Sequence, residues 1–363
     1  MKVALLGDIA FFGRFSLPNN PSLYDYFEKV SEKLKSYDLV IGNFETPFIT
    51  EDHKTFGYKS AYIGSDPANI ELLKYLNVDA VNLANNHIFD YGEESYEYTK
   101  QLLDQHNIRF FGIDNKQVVL DEAGVRIALG GFCCYSTNPL GIASASQSGI
   151  NELEYSRAAE FLEENNRRGY VSIFSVHCGQ EHVNFPNYDH IEFARKLSGI
   201  SPFIFYGHHP HVAQGIELVN DSLIAYSLGN FCFDDVYTSK SKLPLVKQTR
   251  NNKESFILEL EIDDHKLIRH SVIPIFAGEE EMELNAPEIM EKIRVYSEAL
   301  REDKHSYISK RSSLLETYLT ERRKKRDINW YIKRLNFKSI RMILSARRNA
   351  RLYRKSVSDQ INA

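Results

Sequence analysis

The sequence predicts an α/β fold. Short apolar runs of about five or six residues recur along roughly the first 275 positions. Amphipathic helical patterns lie between them. Several of the runs are apolar throughout instead of alternating, as expected of strands covered on both faces.

Taken in order, "KVALLG", "DLVIGN", "DAVNLA", "VRIALGG", "VSIFSVH", "PFIFYG" and "LIAYSLG" read as buried strands. The first predicted helix, "PSLYDYFEKVSEKLKSY", opens at Pro21 and sets Leu23, Phe27, Val30 and Leu34 on one face. In "DPANIELLKYL", Asp66 is placed to cap the helix and Pro67 to occupy its first position. "GEESYEYTKQLLDQH" and "ELEYSRAAEFLEENNRRG" continue the alternation. Residues 236–255 are polar without a clear period and read as a long surface loop. Two more strands, "FILELEI" and "KLIRHSVIPIF", end near Phe276, and the rest is helical and polar. The expected organisation is one domain over 1–277 and a helical extension over 278–363 with a basic amphipathic arm.

At 363 residues the chain is long enough to bury a full core, and 43% hydrophobic with 26% charged residues is a globular composition. A net charge of −5 carries no general case for nucleic acid. Cys133, Cys134, Cys178 and Cys232 lack metal-ligand spacing and read as free buried thiols of a reducing compartment. The start, "MKVALLGDIAFFGR", is too short an apolar run for a secretory signal, and no run is long enough to cross a membrane. These features give a cytoplasmic expectation.

Chemistry gathers where the strands end. "KVALL" runs into Gly7 and Asp8, "DLVIG" into Asn43, Phe44 and Glu45, and "AVNLA" into Asn85, Asn86 and His87. "VSIFSV" runs into His177, "FIFYG" into His208, His209, Pro210 and His211, and "LIAYSLG" into Asn230. The carboxyl edge of an α/β sheet is where sites form. Singly, each residue has a structural reading: Asp8 as a turn cap, the asparagines in left-handed turns, the histidines paired with backbone in the core. Jointly, carboxylates, an amide and several imidazoles match the needs of divalent cations such as Zn, Mn or Fe.

The motifs "GDIAFFGR", "NFE", "ANNH", "VHCGQE", "GHHPHV" and "YSLGNF" resemble those of the CapA-type capsule synthesis family, also called the poly-γ-glutamate biosynthesis family. That family belongs to the calcineurin-like metallophosphatase superfamily. The resemblance spans about residues 2–275. It implies a four-layer αββα sandwich of two mixed sheets with a two-metal site at one edge. It places Asp8 on one metal, Glu45 between the two, Asn86 and His177 on the other, and one each of His209 and His211 on the pair. His87 falls beside the leaving group as a catalytic acid. Asn43, His208, Glu181 and Asn230 support the ligands from outside. Arg14 matches an arginine of the family that could hold an anionic substrate, with a structural ion pair as its alternative reading. Ala10 stands where many metallophosphatases carry a histidine ligand; CapA-type sequences share this difference.

The resemblance implies a metal-dependent hydrolase in capsule, poly-γ-glutamate or exopolysaccharide synthesis, with metal-activated water attacking a phosphoester or a γ-glutamyl amide. A general phosphoesterase and a non-catalytic capsule-assembly subunit are the alternatives. Its substrate is then an anionic polymer or a phosphorylated precursor.

Residues 322–355 hold fourteen Lys and Arg against a single acid, Asp327. Ile328, Ile332, Leu335, Ile340, Ile343 and Leu344 fall near one helical stripe, with Trp330 and Tyr331 at its margin. That pattern suits an anionic membrane surface, and equally a helix docked on the acidic body or on a biosynthetic complex. Nucleic acid ranks last. The expected location is the cytoplasm, peripheral on the inner face of the membrane.

Overall fold

The computed structural model describes every residue except 58, 123, 138–140, 145–146, 239–240, 264, 325–336 and 363. Its framework is two mixed sheets. The first contains β1 (Lys2–Ile9), β2 (Leu39–Phe44), β3 (Ala80–Asn82) and β4 (Arg109–Phe111), all parallel. The second contains β5 (Val118–Glu122), β6 (Val125–Cys133), β7 (Val171–His177), β8 (Ile204–His208), β9 (Ile216–Val219) and β10 (Ser222–Ala225) in the order β5-β6-β7-β8-β10-β9. β11 (Asn230–Cys232) returns to pair parallel with β1. A hairpin of β12 (Val236–Thr238) and β13 (Ser241–Val246) follows. β14 (Glu254–Asp263), β15 (Lys266–Ala277) and β16 (Met282–Leu284) complete the first sheet on the other side of β1, each antiparallel to the strand before it in the sheet.

Alternation along β1 explains the layering. Val3 and Leu5 point inward and join Ile127, Leu129, Ile173, Ile204 and Leu223 of the second sheet in one apolar layer. Ala4 and Leu6 point outward to helices α1 (Leu23–Tyr26), α2 (Glu28–Leu34), α3 (Ile70–Tyr75) and α4 (Gly92–Gln105) through Phe27, Val30, Leu34, Leu72 and Leu103. The outer face of the second sheet, with Phe174, Val176 and Phe205, is covered by α5 (Tyr155–Arg167) and α6 (Tyr188–Ser198). The result is the expected αββα sandwich. The cap on the second helical segment is also as expected: Asp66 accepts from the Ala68 N–H at 2.8 Å, with Pro67 following.

Two regions differ from the sequence reading. The presumed loop after Asp235 forms the β12–β13 hairpin and a one-turn helix, α7 (Arg250–Lys253). Val236 anchors the hairpin by packing with Ala10, Ile63 and Phe233, a long-range contact that local polarity conceals. The compact body also runs past residue 277. β16 pairs with β15, Ile275 opposite Leu284. α8 (Pro287–Ala299) then sends Ile289 and Ile293 into the layer between the sheets.

The extension continues as α9 (Lys304–Lys324) and α10 (Phe337–Tyr353). α9 is fastened by Tyr307, which is 1% exposed and donates to Pro186 O at 2.9 Å. The end of α10 is fastened by Tyr353, whose hydroxyl lies 2.7 Å from Asp189 Oδ2. Ile328, Trp330, Tyr331, Ile332 and Leu335 lie outside the described residues.

Candidate metal centre

The parallel strands of both sheets deliver their carboxyl ends to one edge. Asp8 stands near the end of β1, Glu45 just beyond β2, Asn86 and His87 beyond β3, His177 at the end of β7, and His208, His209 and His211 at and after β8. Two glycines permit the approach. A Cβ on Gly7 would sit 2.1 Å from Gly229 O, so only glycine lets β1 meet the turn before β11. A Cβ on Gly207 would stand 1.8 Å from Tyr226 O, where β8 passes β10.

Glu45 is at the centre. Its side chain is fully buried, and neither carboxylate oxygen accepts a hydrogen bond from any described residue. Around Oε1 lie His177 Nε2 at 3.7 Å, His211 Nε2 at 3.8 Å and His87 Nε2 at 4.0 Å. Two sets of side chains have donor atoms close enough to share an ion: Glu45 with His177 and His209, and Asp8 with Glu45 and His211. Glu45 belongs to both.

His211 and His177 are aimed by their surroundings. His211 Nδ1 is 2.9 Å from Asn230 Oδ1, which leaves Nε2 towards Glu45. Asn230 is held by Gln248 Oε1 and Asn252 O, both at 3.2 Å. His177 Nε2 is 2.7 Å from Asn86 Oδ1, while Nδ1 is 3.4 Å from Asn43 Nδ2. The same Asn43 amide donates to Asp8 Oδ1 at 2.8 Å. His209 Nδ1 is buried without a hydrogen-bond partner among the described residues. His208 Nδ1 lies 3.2 Å from Asp8 Oδ1, off the hydrogen-bonding direction, so the contact is electrostatic. His209 and His211 both have positive φ, 89° and 56°. Non-glycine residues in that region cost about 1–3 kcal/mol each and persist where the surroundings impose them. Here the sheet edge and Pro210 between them turn both rings inward.

The electrostatics are those of two acids buried among histidines. Burial pushes the Glu45 carboxyl well up, and Asp8 adds to the push. Burial also acts to raise Asp8, but His208 and His211 overcome it and hold that carboxyl well down. Burial lowers His177 strongly and brings His209 to about 4, so both are neutral donors near pH 7. Burial acts to lower His211 as well, but Glu45 and Asp8 outweigh it and raise that imidazole to about 10, so a cation there would displace its proton. Two buried acids, one of them unpartnered, and three imidazoles form a donor set suited to a divalent cation.

Beside this set is a second constellation that sequence reasoning missed. His87 Nδ1 lies 2.7 Å from Asp90 Oδ2 and 3.0 Å from Lys59 Nζ, so Nε2 faces the cluster. The Lys59 ammonium also donates to Asn86 O at 2.7 Å and forms a close ion pair with Asp90. Asn85 Oδ1 accepts from the His87 and Ile88 N–H groups at 3.0 and 2.9 Å, an Asx turn that fixes the loop. Asp90, three residues after His87, was readable as a local partner. Lys59 had no signal, because it arrives from the long connection between β2 and α3.

One predicted residue stands outside the cluster. Arg14 donates to Gly278 O at 2.8 Å and Ala277 O at 3.3 Å, with its guanidinium 4.4 Å from the Phe15 ring centroid. It also lies 3.8 Å from Glu279 Oε2, the kind of ion pair its alternative reading describes. Glu181 lies beside the cluster: burial acts to raise its carboxyl, but His209, His182 and His211 hold it down. The neighbouring His182 ring meets Tyr318 of α9 at 5.3 Å.

With this geometry in place, the comparisons with known proteins decide the family. Residues 2–235 match the family described as bacterial capsule synthesis protein PGA_cap. The chain belongs to this family. Among its relatives is "PGA biosynthesis protein CapA" of Bacillus subtilis (strain 168), 29% identical over 256 residues, which are 68% of this chain and 67% of that protein. Another is "Capsule biosynthesis protein CapA" of Bacillus anthracis, 28% identical over 273 residues, 72% of this chain and 66% of that protein. The capsule synthesis chain thus spans about two thirds of the length of each. Solved structures overlay more coarsely. A putative 5′-nucleotidase of Staphylococcus aureus has a TM-score of 0.45 at 15% identity, over 78% of this chain and 54% of that one. A hypothetical protein of Thermus thermophilus has a TM-score of 0.46 at 15% identity, over 76% and 98%. Among the described residues, no helix of this family member is long and apolar enough to cross a membrane.

Proposed function

We propose that this chain is a metal-dependent hydrolase serving capsule or poly-γ-glutamate synthesis, acting on a phosphoester or γ-glutamyl amide within an anionic polymer or its phosphorylated precursor. The observation that carries the reading is Glu45: a fully buried carboxylate with both oxygens unpartnered among the described residues, shared by two potential cation sites. Membership of the capsule synthesis family and the names of the two Bacillus relatives support the biological setting.

Asp8, Glu45 and His211 would hold one divalent cation, and Glu45, His177 and His209, with Asn86 alongside, the other. Such a pair supplies Lewis acidity and lowers the pKa of water to near neutrality. The chain itself orients and excludes water. Asn43 and Asn230 hold the imidazoles and Asp8 in place. His87 presents Nε2 to the reacting centre and exchanges a proton there with the leaving atom. Burial and Lys59 lower its pKa while Asp90 opposes them. An anionic substrate entering beside it acts in the same sense as Asp90 and favours the proton-donating form.

A substrate panel tests this reading. Phosphomonoesters, phosphodiesters and γ-glutamyl peptides are each incubated with the chain and Mn²⁺. Turnover of one class is expected, falling about 10³-fold or more in Glu45→Ala and His209→Ala while both variants stay folded. Unchanged turnover in either variant, or none on any class, would overturn the assignment.

A further inference from the structure

The face of α10 that points away from the body is apolar at one end and cationic at the other. Phe337, Ile340, Ile343 and Leu344 are 67%, 57%, 55% and 58% exposed. Phe337, Ile340 and Leu344 recur at helical spacing on one side, with Ile343 at its border. Farther along, Arg347, Arg348 and Arg351 take over that side, all exposed. The opposite side is the docked one. Asn349 and Tyr353 are buried there, the helix lies against the turn at Tyr135–Thr137, and Val357 just beyond it is fully buried. The body therefore fixes this helix from behind and leaves its apolar stripe facing outward, with the Arg341 guanidinium 4.6 Å from the Phe337 ring centroid at its near end.

We infer that this face is a docking surface for an anionic lipid bilayer. Charge selects the occupant. Residues 337–355 contain seven Lys and Arg and no Asp or Glu. A second copy laid face to face would oppose like charges. A nucleic acid would take the arginines and leave the stripe in water. A bilayer with anionic headgroups covers both, with apolar side chains at the acyl boundary and guanidinium groups among the phosphates. The surface lies beyond the residues matched to the capsule synthesis family, and it does not depend on the proposed hydrolysis. It would hold the Glu45 cluster near a membrane surface.

Co-sedimentation of the full chain with vesicles tests it. The chain is expected to pellet with phosphatidylcholine vesicles containing phosphatidylglycerol, not with phosphatidylcholine alone, and to be released by salt. Reversing two charges in Arg347→Glu/Arg348→Glu is expected to weaken partition by about thirty-fold or more. Ile343→Glu/Leu344→Glu is expected to abolish it, and the gentler Ile340→Ser to weaken it severalfold without threatening the fold. Melting curves of all variants should match the parent, because these side chains face solvent. Failure to pellet with either vesicle would overturn the inference. So would partition that Ile340→Ser and the arginine reversal leave unchanged, or a concentration-dependent dimer that the stripe variants dissociate.

Discussion

At the residue scale, the site is built by burying charge and then surrounding it. Lys59 and Asp90 are the clearest case, with side chains 9% and 0% exposed in a direct ion pair. Removing one member of such a pair leaves the other buried and uncompensated, which costs about 3–5 kcal/mol. Asp90→Asn should lose that much stability to denaturant at pH 7. Burial acts to raise the Asp90 carboxyl, but His87 and Lys59 prevail and hold it below its ordinary 3.8. A depressed carboxylate contributes its stability above the unfolded pKa and loses it as pH falls through the folded one. The difference between parent and variant should therefore be full at pH 7 and shrink below about pH 4. A gap that stays constant into acid would contradict the account. The sequence showed only half of this group. His87 and Asp90 are neighbours in the chain, but Lys59 is brought in by a loop with no periodicity.

At the element scale, the legible part was what repeats locally. Continuous apolar runs identified β1, β2, β3, β6, β7, β8 and β10, because buried parallel strands have no polar face to interrupt them. Their polar exits identified most of the side chains that meet around Glu45 for the same reason, since parallel strands end on one edge. What could not be read depends on distant partners. The β12–β13 hairpin rests on Val236 meeting Ala10 and Ile63. β16 exists only because β15 offers it an edge. The left-handed backbone of His209 and His211 is likewise imposed from outside. The close meeting of β1 with Gly229 gives an element-scale test. Gly7→Ala places a methyl against backbone that cannot move freely, with the nearest atom at 2.1 Å. It should destabilise the protein by about 1–3 kcal/mol. It should also weaken metal binding, because Asp8 and Asn230 sit on the two strands it pries apart. Equilibrium unfolding and metal titration of the variant check both effects.

At the scale of the whole molecule, the sandwich gathers donors from both sheets onto one edge, and α9 reaches that same region. It runs from Tyr307, fixed on Pro186, to Tyr318 beside His182 at the rim of the site. α10 is held from behind by Tyr353 and turns its stripe outward. The central claim remains the cation-binding cluster about Glu45, and metal binding tests it most directly. Chelator-treated protein is titrated with Mn²⁺ and followed by calorimetry and thermal melting. The account predicts two bound equivalents and a rise in melting temperature, with Glu45→Ala losing binding at both positions while remaining folded. Metal-free protein that takes up no Mn²⁺, Fe²⁺ or Zn²⁺ and melts unchanged in their presence would contradict it.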